Sequence, residues 1–160
     1  VNGATDTATR ETSGGSPDGF RKMDHMMPGH PEGSRLTVYH LFLQAYDPED
    51  GAVTHINYSE DRIQIDPPFA TAAIGTGFFV FQDETRFPRP LTEGVFTSQS
   101  WETAEEDKLT PEDFIEGLDF STSGSPIQFG FYRSNSHNPS DVDSRTTHGI
   151  DNWRVEICRE

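Results

Sequence analysis

The chain has 160 residues and a formal net charge of -15, from 27 acidic and 12 basic side chains. Such a charge repels nucleic acid and anionic membrane surfaces, so it argues against both as partners and leaves cations, neutral sugars and basic proteins. Only 32% of the residues are hydrophobic, but 12 Phe, 4 Tyr and 2 Trp can still build a core, because each ring buries a large area.

The length suits one domain, 1–160. With 14 Gly and 11 Pro, many short strands are expected rather than long helices. No apolar run approaches the ~20 residues of a membrane span, so membrane insertion is not expected. Cys158 is the single cysteine and excludes an intrachain disulfide; it reads as a small apolar residue of the last strand. The chain begins at Val1 rather than Met, as a mature or excised piece would.

Residues 1–19 are small and polar, either flexible or an edge strand through Thr5, Thr7, Thr9 and Thr12, and GGSPDG (14–19) is a turn. FRKMDHMMP (20–28) alternates. SRLTVYHLFLQAY (34–46) carries apolar residues in both phases, as a strand covered on both faces does. After the turn DPEDG comes AVTHINYSED (52–61), and the two predict an antiparallel hairpin of 34–46 with 52–58. RIQID (62–66) is a short strand stopped by Pro67 and Pro68. AAIGTGFFVFQD (72–83) is a strand, ETRFPRP (84–90) a Pro-limited edge, and GVFTSQSWE (94–102) a further alternating strand. TAEEDK (103–108) reads as a solvated loop. LTPEDFIEGL holds a helical turn near 110–116: Thr110 caps it, Pro111 opens it, Glu112 and Asp113 suit its dipole, and Gly117 ends it. LDFST (118–122), PIQFGFYRSN (126–135) and HGIDNWRVEICR (148–159) close the fold, with a polar loop at 136–147. Eight to ten strands and one helical turn predict an all-β fold, an antiparallel two-sheet β-sandwich of the jelly-roll kind.

The run YDPEDGAVTHINYSEDRI, then AAIGTGFFVFQD, a Trp strand, LTPEDF and a final GIDNWRVEI, resembles a group of bacterial extracellular β-sandwich domains. These are concanavalin- or laminin-G-like and are similar in layout to carbohydrate-binding modules. The resemblance covers most of 13–158, and its motifs are structural rather than catalytic. It implies a secreted or cell-surface domain, and a structural calcium at an Asp of the last strand, carried over to Asp151.

GIDNWRVEI (149–157) places Asp151 and Asn152 where a strand should begin to bury apolar side chains. Either they cap a buried turn or they give oxygen ligands to calcium, with Asn2, Asp6 or Asp24 completing the shell if the first and last strands are neighbours. Trp153, Val155 and Ile157 then alternate inward. Asp141 and Asp143 fail the EF-hand pattern, which needs Gly and Glu where Thr146 and Asn152 stand. His40 and His55 flank the expected hairpin and would approach one another across it, but zinc needs more ligands than two. No window pairs acids at i and i+2 within an apolar strand, and GxSxG is absent. Sugar rings stack on exposed aromatics, for which Tyr46, Tyr58, Trp101 and Tyr132 are candidates, Trp101 and Tyr46 ahead because each borders a loop.

The expectation is a non-catalytic secreted or cell-surface module that binds glycan or a surface partner and holds a structural calcium. The alternative is a self-assembling surface or filament protein that pairs by strand addition, with a hydrolase or lyase third.

Overall fold

In the computed structural model, which describes residues 3–66 and 73–160, nine strands occur among the described residues. They are β1 (Thr5–Glu11), β2 (Phe20–Met27), β3 (Ser34–Tyr46), β4 (Val53–Gln64), β5 (Ala73–Gln82), β6 (Thr85–Phe96), β7 (Glu102–Leu109), β8 (Ile127–His137) and β9 (Ser144–Arg159). One sheet has the order β1-β2-β9-β4-β7, the other β3-β8-β5-β6. The antiparallel pairs are nested: β5 with β6, β4 with β7, β3 with β8, β2 with β9. A long hairpin, rolled so that successive pairs fall in alternate sheets, produces this nesting, and it is the jelly roll that the sequence predicts. The tip of that hairpin is Asp83-Glu84, both with positive φ (50° and 61°), a two-residue turn whose twist matches its strands.

The rolled hairpin also explains what the sequence reading got wrong. The expected pairing of 34–46 with 52–58 does not form, because β3 and β4 belong to opposite sheets. Their connection crosses the sandwich through a 3-10 turn at Pro48–Asp50: Asp47 accepts from the Glu49 N–H (3.0 Å), and the Tyr46 hydroxyl donates to the Gly51 carbonyl (2.7 Å). TAEEDK is not a loop but most of β7, with Ala104, Glu106 and Leu109 turned inward. Glu106 is tolerated there because Arg89 donates to it at 3.4 Å and the Thr92 N–H caps its other oxygen. GVFTSQSWE is divided, Val95 and Phe96 ending β6 and 97–101 forming a loop. LDFST is irregular, although Leu118 and Phe120 are buried. RIQ is the end of β4, and β9 begins at Ser144, inside the expected loop. Pro67 and Pro68 lie outside the described residues. The helical turn is a 3-10 turn at Pro111–Asp113, where the Asp113 carboxylate accepts from the Thr110 N–H at 2.9 Å. The Thr-rich start is an edge strand, β1, with its side chains almost all exposed.

Inward side chains change character along the strands. At one end Ile56, Phe78, Val80, Phe87, Ile127 and Phe129 pack together, with Tyr58 stacked on Phe78 at 4.5 Å. Toward the other end the same strands turn inward Glu60, Arg62 and Gln64 (β4), Thr76 (β5), and Arg133 and Asn135 (β8), joined by His25 from β2 and Thr146 and His148 from β9. Arg133 and Glu60, both 0% exposed, form an ion pair at 3.0 Å. Glu60 also accepts from the Tyr58 hydroxyl (2.6 Å) and from Thr76 (3.0 Å), so its lone pairs are met inside the protein.

Candidate binding groove

The groove begins with a fault in β9. Ser59 lies opposite Arg154 and Asp61 opposite Asp151, so three steps of β9 answer two of β4. The extra residue is a bulge, with Asn152 in the left-handed region (φ 47°), which Asn adopts more readily than most residues. A bulge reverses the alternation. Before it Thr146, His148 and Ile150 face inward; after it Trp153, Val155 and Ile157 do.

The bulge is held from outside the sheet. Asp151 Oδ2 accepts from the Ser16 N–H (2.7 Å) and Oδ1 from the Asn152 N–H (2.9 Å). Asn152 Nδ2 donates to the Ser16 carbonyl and to Asp61 Oδ2, the latter at 2.7 Å. Burial would raise the Asp61 carboxyl, but hydrogen bonds from Thr103, Asn152 and Ser16 outweigh it and hold the group below its ordinary value. Trp101 Nε1 donates to the Gly14 carbonyl (2.9 Å) and its ring meets Phe20 edge-on at 5.3 Å. A Cβ on Gly15 would sit 2.6 Å from Asp151 Oδ2, so only glycine fits under this clasp. Asp151 and Asn152, in the middle of β9 rather than at its head, therefore tie down the 14–18 turn.

Two strands open the groove. β2 pairs with β9 only as far as Ile150, so beyond it β9 is hydrogen-bonded on the β4 side alone among the described residues. In the opposite sheet β3 bulges between Leu41 and Ala45, four steps against the two from Gly130 to Gln128. Gln128 braces the bulge by donating to the Leu43 carbonyl at 2.9 Å. Phe42 is thrown over the gap, 51% exposed, with its ring 5.8 Å from Trp153. Beside this ring pair lies a cavity of about 240 Å³ lined by Phe42, Tyr46, Phe129, Trp153, Val155 and Ile157. It continues past Trp153 and Phe131 to Arg21 and His40, a further cavity of about 370 Å³. Burial and then the Arg21 charge push His40 down to about 3, so its ring is neutral at neutral pH and its Nδ1 accepts from Arg21 at 3.2 Å. An apolar aromatic slot with a few directed polar groups at one end is the form of a small-ligand site.

Of the residues singled out in the sequence, Tyr46 lines the groove. Trp101 belongs to the clasp. Tyr58 is not a ligand contact: it is 1% exposed, with its hydroxyl bound to Glu60 and held well above its ordinary pKa by burial and by the Glu60 charge. Asp151 and Asn152 stand together, but Asp24 is opposite Thr147, four residues or about 13 Å along β9 from Asp151, where it accepts from Thr147 (2.6 Å) and Arg145 (3.1 Å). Asp6 lies opposite His25, and Asn2 is outside the described residues. Asp6 and Asp24 thus do not reach Asp151, whose oxygens already accept N–H donors, and this donor set does not fit a calcium shell. Among the described residues no three His, Cys, Asp or Glu side chains converge as metal ligands. His40 and His55 lie in opposite sheets and form no pair. Phe42 and Trp153 went unseen as site residues because the first sits in a run that reads as buried on both faces and the second in regular alternation. The sequence sign was Asp-Asn at a strand position, where a bulge is readily formed.

No protein-family model matches the chain, and no curated protein matches it in sequence. Solved structures do match in fold. A structure described as a basis for the promiscuous specificity of carbohydrate-binding modules from the β-sandwich superfamily aligns with TM-score 0.53 and 12% identity, over 96% of this chain and 54% of that one. A family 11 carbohydrate-binding module from Clostridium thermocellum, in complex with a β-1,3-1,4-mixed-linked tetrasaccharide, aligns with TM-score 0.51 and 14% identity, over 99% of this chain and 86% of that one. An exo-β-agarase aligns with TM-score 0.50 and 15% identity, over 98% of this chain but 23% of the enzyme. The chain thus spans about half of the first and under a quarter of the agarase. At these identities the likeness is one of fold, the two-sheet β-sandwich that carbohydrate-binding modules share.

Proposed function

We propose that this domain is a non-catalytic, extracellular glycan-binding module and that the sugar lies in the groove beside Trp153 and Phe42. The observation that carries the proposal is the pair of opposed bulges, which bring two aromatic rings together in the wall of a lateral slot. C–H faces of a sugar stack on such rings while Arg21, Gln44 and the groove backbone meet its hydroxyls. The fold shared with carbohydrate-binding modules supports the reading. So does the state of Asp151, two residues from Trp153, which is engaged by Ser16 and Asn152 and is not free to act as an acid or base.

The test is titration calorimetry against a panel of neutral oligosaccharides, with mixed-linked β-glucan fragments first. Phe42→Ala, a change at an exposed side chain, is expected to weaken binding tenfold or more, about 1.4 kcal/mol. In a Trp101→Phe background Trp153 is the sole tryptophan, and its emission should shift on binding. Sugar binding that ignores Phe42 and leaves Trp153 emission unmoved would refute the assignment of the groove. A second reading, assembly by strand addition, rests on the exposed edge strand β1 and predicts concentration-dependent oligomers that vanish when residues 1–11 are removed.

A further inference from the structure

The two outer faces of the sandwich differ in charge. On the five-stranded sheet, outward positions carry Asp24, Asp61, Glu105, Asp107, Asp151 and Glu156 against Lys22, Arg145 and Arg154, the two arginines paired with Asp24 and Glu156. On the four-stranded sheet they carry Arg35, Thr37, Tyr39 and Leu41 from β3, and Gln128, Tyr132, Ser134 and Ser136 from β8. Gly75, Gly77, Phe79 and Phe81 follow from β5, and Arg86, Pro88 and Pro90 from β6. None of these is acidic, in a chain with 27 acids and 12 basic residues. The acids of this sheet lie at its margins: Asp83 and Glu84 in the turn beyond the Gln82–Thr85 pair, and Glu93 in the bulge of β6, where it pairs with Arg62 at 3.5 Å.

This face is also aromatic. A Cβ on Gly77 would lie 2.5 Å from the Tyr132 ring, and one on Gly130 would lie 2.5 Å from the Phe79 ring, so each glycine lets a ring lie flat across the sheet. Tyr39 stands edge-on to Phe79 at 5.4 Å and tilts toward Tyr132 at 5.7 Å. The Arg86 guanidinium lies over the Tyr39 ring, 4.3 Å from its centre. Arg35 stands on the same face of β3, four residues from Tyr39, and is the second cation of this surface. Arg62, Arg89, Arg133, Arg145 and Arg154 each pair with a carboxylate; among the described residues Arg35 and Arg86 do not.

We infer that the outer face of the four-stranded sheet is a second binding surface, for an anionic polysaccharide bearing carboxylate or sulfate groups. Tyr132 and Tyr39, over the buried Phe79 ring, take the sugar faces, Thr37, Gln128, Ser134 and Ser136 offer hydrogen bonds, and Arg35 and Arg86 take the charged groups. Carboxylate and sulfate both suit a planar guanidinium fork. The net charge of -15 does not forbid this, because at physiological salt the screening length is about 8 Å and the strand positions around Arg35 and Tyr132 hold no acid. The inference goes beyond the groove, whose far cavity shares Tyr39 and Leu41 with this face, and Arg35 and Arg86 separate the two.

The test is affinity electrophoresis of the whole domain through gels holding polygalacturonate, a sulfated galactan, or the neutral polymers methyl-esterified pectin and agarose. Retention by one or both charged polymers, but not their neutral counterparts, is expected, and the two charged arms tell carboxylate from sulfate. Retention should fall as salt rises from 0.05 to about 0.5 M. The double variant Arg35→Gln/Arg86→Gln should lose at least tenfold in affinity, and Tyr39→Ala should also lose affinity. All three side chains are exposed, so the fold is kept, with melting curves as the control. Phe42→Ala, at the groove, should bind as the parent does. Equal retention by neutral and charged gels, no retention by charged gels, an Arg variant that binds as the parent, or loss in Phe42→Ala would each overturn the inference. The first and last of these outcomes would favour the groove as the site of binding, and the other two do not touch the groove proposal.

Discussion

The two ends of the interior solve the same packing problem by opposite means. At the apolar end, Tyr58, Phe78, Val80, Phe87, Ile127 and Phe129 exclude water, and contacts between rings hold the sheets together. At the polar end the sheets are held by Glu60–Arg133, with Tyr58 and Thr76 completing the shell of Glu60, and by the 2.5 Å His25–Asn135 contact. Burying an ion pair gains little net stability against apolar residues of the same volume, because desolvation offsets the attraction. What the polar end adds is directionality: an Arg on β8 that must meet a Glu on β4 fixes one register between the sheets, which grease alone does not.

That contrast can be broken by substitution. The largest expected effect is at the pair. Glu60→Leu leaves Arg133 charged and buried without its partner and should cost about 3–5 kcal/mol in urea unfolding. Glu60→Leu with Arg133→Met should recover most of that, since neither charge remains. Phe78→Ala at the apolar end should cost about 3–5 kcal/mol as a cavity, with no partner whose removal restores it. A double variant at Glu60 and Arg133 whose loss is the sum of the two single losses would show that the pair does not act as a unit.

The same contrast decides what could be read from the sequence. The apolar end announces itself by alternation, as in Phe78 and Val80, and from it the all-β class and the sandwich follow. The polar end conceals its inward face. Glu60, Arg62 and Gln64 look like surface residues, and β4 reads from the sequence as two strands, 52–61 and 62–66; polar Ser144 and Thr146 make the start of β9 read as loop as far as residue 147. β7 was missed for the same reason, since inward Glu106 is made acceptable only by Arg89 from another strand. The groove was less legible again. It depends on two bulges, and a bulge shifts the phase that sequence reading counts on. Tyr46 was found because it borders a loop, whereas Phe42 needs the missing stretch of β2 beside it before it becomes a site residue.

Acid should separate the ends without mutation. His25, His40 and His148 belong to the polar end, with His25 and His148 meeting edge-on at 4.7 Å. Burial lowers all three below the ordinary 6.5, Asn135 partly offsetting it at His25 while neighbouring His25 and Arg133 add to it at His148. Since the folded values lie below the unfolded one, the unfolded chain binds more protons as pH drops below about 6.5. Stability is therefore full above that pH and falls beneath it, down to about 3 for His40. Each histidine that stays neutral in the fold steepens the loss by about 1.4 kcal/mol per pH unit. Asp61, held below the ordinary 3.8, titrates under this window, so the range from pH 7 to 5 reports on the histidines. Unfolding midpoints that stay constant between pH 7.5 and 5 would contradict the buried neutral set. His148→Leu should flatten the slope while leaving the apolar end unchanged.

The smallest effect is expected outside the interior altogether, at the clasp on the β9 bulge. Asp151→Ala removes the acceptor of the Ser16 and Asn152 N–H groups and should cost about 2 kcal/mol, a fall of roughly 4–8 °C in melting temperature. Because Asp151 accepts from N–H donors, a cation joins it only by displacing them, and the parent is expected to melt at the same temperature in EDTA as in millimolar calcium. A calcium-dependent rise that disappears in Asp151→Ala would instead mean that the 14–18 turn swings away to admit the ion. The groove supplies an independent reading of the same event. Asn152 sets the phase that turns Trp153 inward, so a clasp that opens should move Trp153 emission in the Trp101→Phe background, and a clasp that merely loses hydrogen bonds should lower the melting temperature without changing that spectrum.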